Sequence, residues 1–151
     1  MGRAIFTDKA ARKFVASIEG CKPSDVEIET QEHYGLLVYT ANGNAYAVGT
    51  DSECDDAAGE YISDSLWAFN ADFLAPYMPD GVDHDIVAAI QESRYEDASP
   101  AFKGMIGDLW DDFVHDAIAS DGRGHFLAPY DGVEHEHYRS SAENAYAYRI
   151  D

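Results

Sequence analysis

The stretch Asp51–Phe69, DSECDDAAGEYISDSLWAF, decides the fold that we expect for this chain. Its apolar and small residues recur at the three- and four-residue spacing of a helix with one buried face. These residues are Cys54, Ala57, Ala58, Tyr61, Ile62, Ser65, Leu66 and Phe69. The acidic residues Glu53, Asp56, Glu60 and Asp64 follow the same spacing on the other side, with no Lys or Arg among them. The stretch therefore predicts a helix that supplies core on one face and a row of carboxylates on the other.

The net charge of the chain is concentrated in the part that begins with this helix. The 151 residues carry a formal charge of −19. Residues 1–50 hold five basic and six acidic side chains, a net of −1, whereas residues 51–151 hold five basic and 23 acidic side chains, a net of −18. Such a charge repels nucleic acid and anionic lipid and attracts cationic partners. Solubility or adaptation to high salt is the alternative explanation, because acidic surfaces are common.

The first 50 residues predict a helix packed on an antiparallel meander. Thr7 is expected to cap the helix and Gly20 to end it. Alternating apolar residues then indicate strands, and Asn42-Gly43-Asn44 supplies the residues that a hairpin turn requires. The expected strands are Val26–Gln31, Tyr34–Thr40 and Ala45–Val48.

Residues 51–125 predict a mainly helical acidic region, and residues 126–151 a loop followed by a strand. Beyond the first helix, the expected helical stretches are Asn70–Met78, Val82–Asp97 and one that begins at Pro100 and includes Ile118. Asp108, Asp112 and Asp116 lie four residues apart beside the apolar stripe of this last helix. The alternating stretch Ala145–Ile150 could add a last strand to the sheet. We therefore expect a single α+β domain over residues 1–151, with a three- to four-stranded antiparallel meander, a packed N-terminal helix and an acidic helical region.

The main catalytic signatures are absent from the sequence. It has no G-x-S-x-G, no glycine-rich phosphate loop followed by Lys, no H-E-x-x-H and no C-x-x-C. The best candidate for a metal site pairs His135 with His137, which would point to one face of a strand, and adds His125. Neighbouring histidines are also common on surfaces, so the favoured interpretation has no metal, no cofactor and no enzymatic activity. Arg123, which lies between two glycines, is interpreted as structural.

Composition also limits the partners and the compartment that we expect. The ten basic residues form no cluster in the acidic part, which argues against direct binding of nucleic acid. No stretch approaches the roughly 20 apolar residues of a membrane span. Two cysteines far apart in sequence, Cys21 and Cys54, are typical of a reducing compartment. We expect a cytoplasmic protein with no membrane partner.

Two segments, SDSLWAFNADFL (63–74) and DGRGHFLAPYDGVEHE (121–136), resemble segments of small acidic proteins of unknown function encoded by bacteriophages and other mobile elements. This resemblance implies no catalytic residues. It implies a context, since small acidic phage proteins include inhibitors of restriction and CRISPR systems, some of which act as nucleic-acid mimics. In that context the cytoplasm would be that of the host cell.

The acidic rows are therefore the candidate binding surface, with Glu53, Asp56, Glu60 and Asp64 in one row and Asp108, Asp112 and Asp116 in the other. Carboxylates four residues apart on a helix rise by about 6 Å, whereas duplex DNA presents one charge per roughly 1.7 Å. A single row is thus about three-fold too sparse to imitate a duplex. The leading hypothesis is a non-enzymatic protein that binds a basic surface of a nucleic-acid-handling host protein, as an anti-restriction or anti-CRISPR inhibitor and partial nucleic-acid mimic would. The alternatives are a metal-dependent enzyme that uses His125, His135 and His137, and a virion or scaffold protein with an acidic solubilising surface.

Overall fold

The computed structural model describes residues 6–139 and 142–151, which form two compact units. The first, which we call the sheet unit, comprises Met1–Ala58 together with Asp121–Asp151. The second, the helical unit, comprises Gly59–Ser120. The boundary falls inside the helix that begins at Asp51, so it lies eight residues later than the change in charge at residue 51.

The sheet unit contains a five-stranded antiparallel sheet, which confirms the α+β fold class and adds a strand to the three or four expected. In chain order the elements are α1 (Asp8–Glu19), β1 (Glu27–Ile28), β2 (Leu37–Ala41), β3 (Asn44–Thr50), the start of α2 (Asp51–Ser65), α7 (Arg123–Leu127), β4 (His135–His137) and β5 (Ala145–Arg149). The strand order is β1-β2-β3-β5-β4, so the last strand lies between β3 and β4.

Helix α1 follows its predicted signals and covers one face of the sheet. The hydroxyl of Thr7 accepts a hydrogen bond from the backbone N–H of Ala10 at 3.2 Å, and Gly20 ends the helix with φ of +70°. These are the N-terminal cap and the left-handed C-terminal residue that the sequence predicts. Phe14 and Val15 lie buried with Tyr39 of β2 in one core cluster, so this helix provides the hydrophobic contact that holds the meander.

The predicted hairpin joins β2 and β3. Asn42 and Gly43 both have positive φ, +54° and +80°, which is the geometry of a type I′ turn. The strand expected over Val26–Gln31 is shorter, since it is limited to Glu27–Ile28, which pairs with β2. The backbone N–H of Glu29 makes one further hydrogen bond, to the carbonyl oxygen of Val38 in β2 at 2.8 Å. Beyond it the chain makes a small turn of its own, closed by a bridge between His33 and Leu36.

The helical unit contains the second part of α2 and four further helices. These are α3 (Ala71–Leu74), α4 (His84–Arg94), α5 (Ala98–Ile106) and α6 (Trp110–Asp121, whose last residue belongs to the sheet unit). Short 3₁₀ turns follow α2, α3, α4 and α5. The fully buried side chains of this unit include Ile62, Leu66, Leu74, Val87, Phe102 and Phe113. Among the helices of the described residues, none is long and apolar enough to cross a membrane.

The single helix predicted from Pro100 through Ile118 is in fact two helices. The first begins at Ala98, which places Pro100 within the first turn. Backbone N–H groups in the first turn have no partner within the helix, so the N–H that proline lacks costs no hydrogen bond there. Gly107 then takes φ of +54° and ψ of −123°, which ends α5 and turns the chain into α6. The apolar spacing continues through this break, and for that reason periodicity alone did not reveal it.

The acidic surface and its internal partners

Helix α2 has the two opposed faces that its sequence predicts. Cys54, Ala58 and Ile62 are completely buried on one side. The four carboxylates of the predicted row are exposed on the other: Glu53, Asp56, Glu60 and Asp64. The unit boundary divides this row, so its first two members belong to the sheet unit and its last two to the helical unit.

Glu53 has a structural function at the start of this helix. Its Oε1 accepts a hydrogen bond from the backbone N–H of Thr50 at 2.9 Å. The backbone N–H of Glu53 in turn donates to the hydroxyl of Thr50 at 3.4 Å. This reciprocal pair is a capping box, which satisfies two backbone donors that the first helical turn leaves open. Replacing Glu53 therefore disturbs the helix as well as the charge of the row.

The second predicted row lies in and after the turn that joins α5 to α6. Asp108 belongs to the 3₁₀ turn Gly107–Leu109, and Asp112 and Asp116 lie on α6, all three with exposed side chains. The hydroxyl of Tyr77 donates a hydrogen bond to Asp116. Burial of the phenol, followed by this hydrogen bond and the charges of Asp116 and Asp112, raises the pKa of Tyr77 to about 12. Tyr77 is consequently a neutral donor at neutral pH.

The two rows do not meet where α2 approaches α6. A Cβ atom added to Gly59 of α2 would lie 3.7 Å from a methyl group of Val114 on α6, which is ordinary van der Waals contact. Asp112 and Asp116 are each two residues from Val114, and therefore about 160° away around the helix axis. The flank of α6 that contacts α2 is thus opposite the flank that carries these carboxylates. Two neighbouring rows could imitate a duplex only if their charges lay close together. The contact between α2 and α6 does not bring the two rows together in this way.

Four carboxylates of the helical unit interact with other side chains or cap a helix. Asp72 and Asp85 lie 2.5 Å and 3.5 Å from the two ring nitrogens of His84. Asp83 caps α4 by accepting a hydrogen bond from the backbone N–H of Ile86 at 3.0 Å. The fourth is the acceptor of the Tyr77 hydroxyl described above. These contacts use only a minority of the acidic side chains in the unit.

The remaining nine carboxylates of the helical unit are all exposed, and their oxygens have no hydrogen bond or ion pair within residues 6–139 and 142–151. We call them the free carboxylates. They are Glu60, Asp64, Asp80, Glu92, Glu96, Asp97, Asp108, Asp111 and Asp112. The same unit holds only two basic side chains, Arg94 and Lys103, which gives it a formal charge of −11. The ammonium of Lys103 lies 5.0 Å from the centre of the Trp110 ring, so this cation makes a cation–π contact.

An aromatic cluster, which was not among the features predicted from the sequence, lies next to the second row. Phe113 is completely buried, and the rings of Phe73, Tyr77 and Trp110 surround it at centroid distances of 5.4, 4.9 and 5.7 Å. The surrounding rings are partly exposed. Part of this cluster could have been predicted from the sequence. Phe73 and Tyr77 are four residues apart, a spacing that places two side chains on the same face of a helix.

In the sheet unit, by contrast, carboxylates surround a buried cation. The side chain of Arg123 is 8% exposed and lies 2.8 Å from Asp51, 3.1 Å from Asp55 and 2.9 Å from Glu134. Burial lowers the pKa of the guanidinium, but the neighbouring Tyr148 and Glu134 more than offset this, so the pKa lies above its ordinary value. Arg123 therefore stays charged and links α7 to the start of α2 and to the segment before β4.

The glycine after Arg123 is required for this arrangement. A Cβ atom on Gly124 would lie 2.4 Å from the carbonyl oxygen of Gly132, which is closer than any real contact of a Cβ atom. The structural interpretation of the glycine-flanked arginine accordingly has a specific basis, namely a close approach of two backbone segments beside a buried ion-pair network.

The histidines considered as metal ligands lie against aromatic rings instead. The ring of His137 is 5.2 Å from that of Phe14, and the ring of His135 is 6.0 Å from that of Tyr46. His125 lies on α7 and is exposed. Over the described part of the chain, no group of three or more His, Cys, Asp or Glu side chains is arranged to hold a metal ion. Comparisons of the chain with protein-family models, with curated proteins and with solved structures find no match.

Proposed function

We propose that this chain is a non-enzymatic acidic protein whose helical unit binds a basic surface of another protein. The observation that carries the proposal is the set of nine free carboxylates, which share their unit with only two basic side chains. Carboxylates that neither cap a helix nor form an ion pair within the described residues repel one another in the folded state. A positively charged partner surface would reduce this repulsion. Electrostatic attraction of this kind raises the rate of association and favours a partner of opposite charge.

The finer proposal is that the partner is a nucleic-acid-handling protein of the host cell, as the resemblance to phage-encoded acidic proteins implies. Proteins that bind nucleic acid neutralise a row of phosphates with Lys and Arg side chains, and so they carry the basic grooves that an acidic surface fits. The two predicted rows support only partial mimicry, because charges about 6 Å apart on one helix are sparser than those of a duplex. The proposed mode of binding is therefore occupation of a basic groove rather than a copy of duplex geometry.

The test compares two variants that lose the same amount of charge. The first replaces Glu60, Asp64, Asp108 and Asp112 by their amides, which removes four free carboxylates and leaves the capping Glu53 and the Tyr77–Asp116 hydrogen bond intact. The matched control replaces four exposed carboxylates of the sheet unit in the same way. These are Glu27, Glu29, Glu32 and Asp121. Immobilised wild type and both variants are used to capture proteins from a bacterial host lysate, and captured proteins are identified by mass spectrometry.

We expect wild type and control to retain the same basic protein, and the first variant to lose it. Retention should also fail between about 0.1 M and 1 M salt, over which the Debye length falls from about 10 Å to about 3 Å. Addition of duplex DNA or of structured RNA should displace the chain if the occupied groove is a nucleic-acid site. Equal retention by both variants would show that the acidic surface serves only solubility and would overturn the proposal.

A further inference from the structure

The end of helix α4 contributes to an open cleft that the acidic rows do not include. The cleft has a volume of about 490 Å³ and is lined by Trp67, Arg94, Tyr95, Glu96 and Asp97. All five residues belong to the helical unit. The volume lies within the range of about 300–1,000 Å³ that is typical of ligand pockets in proteins. The cleft therefore has room for one long side chain of a partner together with part of its backbone.

Tyr95 has a backbone conformation that a bulky residue rarely adopts. Its φ is +51° and its ψ is −130°, directly after the last residue of α4. Gly107 occupies the equivalent place after α5 with φ of +54° and ψ of −123°. The chain thus uses glycine at one of two matching helix ends and tyrosine at the other, although a tyrosine is strained in this conformation. Tyr95 as a residue is 66% exposed, so burial in the core does not compensate for the strain.

The lining of the cleft combines aromatic rings with carboxylates. The faces of tyrosine and tryptophan rings attract cations, and tryptophan does so most strongly. Glu96 and Asp97 are both free carboxylates, and they line the same cleft. A guanidinium group satisfies both features at once, because it is planar enough to stack on a ring and presents paired N–H donors to a carboxylate.

We propose that this cleft receives an arginine side chain of the basic partner, with the guanidinium stacked on the Tyr95 ring beside Trp67 and paired with Glu96 or Asp97. The inference rests on the proposed function, to which it adds a specific point of recognition. The free carboxylates elsewhere on the unit attract a positive surface of any geometry, whereas the cleft selects one planar cation. Arginine rather than lysine is the expected occupant. A guanidinium lies flat on a ring and binds a carboxylate through two N–H donors at once, whereas an ammonium group approaches a ring as a point charge and cannot bind a carboxylate in a bidentate manner.

Substitution of Arg94 tests whether the group that occupies the cleft is positively or negatively charged. Arg94 also lines the cleft, and its side chain forms no ion pair with any residue that the structure describes. A cationic occupant is repelled by Arg94, so Arg94→Gln should tighten binding by about two- to five-fold, as expected for an exposed charge pair. An anionic occupant would be attracted by Arg94, and the same substitution would then weaken binding.

The experiment uses the full chain, labelled with ¹⁵N, and a short peptide that alternates arginine and glycine. The protein has two tryptophans, so its spectrum contains two indole N–H signals, which Trp67→Phe assigns. Trp110 lies under Lys103, outside the cleft lining, and its signal serves as an internal control. The same peptide with citrulline in place of arginine keeps the shape and removes the charge. We expect the arginine peptide to shift the Trp67 signal with little effect on Trp110, and the citrulline peptide to shift neither.

Substitution of the ring completes the test. Tyr95→Ala should weaken binding of the arginine peptide by about five-fold or more, which is the size of a partly desolvated cation–π contact. Tyr95→Gly should weaken it equally while it relieves the strained backbone, and so it excludes loss of folding as the cause. A Trp67 signal that does not move, an equal response to citrulline, unchanged binding by both Tyr95 variants, or weaker binding by Arg94→Gln would each overturn the proposal. The proposed function is tested separately on the chain with an intact cleft. It stands if removal of the four carboxylates abolishes retention of the protein partner, and it fails if the partner is retained, whatever the cleft variants do.

Discussion

The two units of this protein use the same acidic residue types in opposite ways. In the sheet unit, Glu19 accepts hydrogen bonds from Tyr46 and from Asn44, and three other carboxylates pair with the buried Arg123. In the helical unit, nine exposed carboxylates have no such partner within the described residues. The difference teaches that net charge alone does not identify a binding surface. A carboxylate is available to a partner only if it forms no hydrogen bond or ion pair within the protein. Among the described residues, most carboxylates of the helical unit meet this condition and most of those in the sheet unit do not.

The largest effect should follow from removal of the one buried cation. Arg123→Leu removes the buried cation and its bonds to three carboxylates that are partly solvated, so we expect the sheet unit to lose about 2–4 kcal/mol of stability. Arg94→Leu in the helical unit should change stability by no more than about 0.5 kcal/mol, because that side chain is exposed and forms no ion pair with a described residue. Amide hydrogen exchange, which resolves each unit separately, measures both changes. Similar losses for the two substitutions would remove the contrast between the units.

A second comparison uses glycines in helices of the two units. Gly124→Ala would place a methyl group against the carbonyl oxygen of Gly132, and we expect a loss of about 1–3 kcal/mol from overpacking. Gly104→Ala in α5 meets no atom within 4 Å, and it should stabilise the helical unit by about 0.5–1 kcal/mol through better helix propensity. Urea unfolding followed by hydrogen exchange checks the sign of each change. A destabilising Gly104→Ala would show that α5 is not an exposed regular helix at this position.

The strained helix end gives a prediction of intermediate size. Tyr95→Gly should stabilise the helical unit by about 1 kcal/mol, because glycine accepts positive φ without the steric cost that tyrosine has. The reciprocal Gly107→Tyr should destabilise it by a similar amount. Thermal unfolding of the two variants and of the double exchange measures both effects. If the first variant is destabilised, the Tyr95 ring makes a contribution to the fold that outweighs its backbone strain.

The smallest effect concerns the pH dependence of the sheet unit. The hydrogen bond from Tyr46, together with those from Asn44 and Asn42, lowers the pKa of Glu19 below its ordinary value of 4.5, although partial burial opposes the shift. A carboxyl group with a lowered pKa in the folded state stabilises that state above its ordinary pKa, and this contribution disappears as the pH falls through the lowered value. Glu19→Gln should therefore flatten the acid side of the stability curve by no more than about 1 kcal/mol, as measured by urea unfolding from pH 3 to pH 7. An unchanged slope would indicate that the Glu19 hydrogen bonds contribute little.

Elements with complete local signals could be predicted from the sequence. Helix α1 has its cap at Thr7 and its terminator at Gly20, and the hairpin has Asn42-Gly43 at the positions that require positive φ. The two faces of α2 follow from spacing within a single helix. In each of these cases the information lies within a few residues, so no knowledge of the rest of the chain is needed.

Elements that depend on distant residues could not be predicted in the same way. Strand β4 has three residues and exists because it pairs with β5, whose position between β3 and β4 is a property of the whole sheet. Arg123 is 72 positions away from Asp51 in sequence, and its pairing is therefore invisible to local pattern analysis. The exposure of the acidic row of α2 could be predicted from its spacing. The capping function of Glu53, and the position of Asp112 and Asp116 on the flank of α6 that faces away from α2, could be recognised only in the three-dimensional structure.

The sheet described above has two short outer strands, and this has a consequence for aggregation. An edge strand presents unpaired backbone groups that can recruit a strand from another molecule and so begin a fibril. Here one edge, β1, has two residues and the other, β4, has three, and each includes a glutamate, Glu27 and Glu136. Edges that are this short and charged give an incoming strand few hydrogen bonds and a repulsive side chain. The sheet is thus protected against cross-chain pairing at its margins, independently of the repulsion that the net charge of −19 provides between whole molecules.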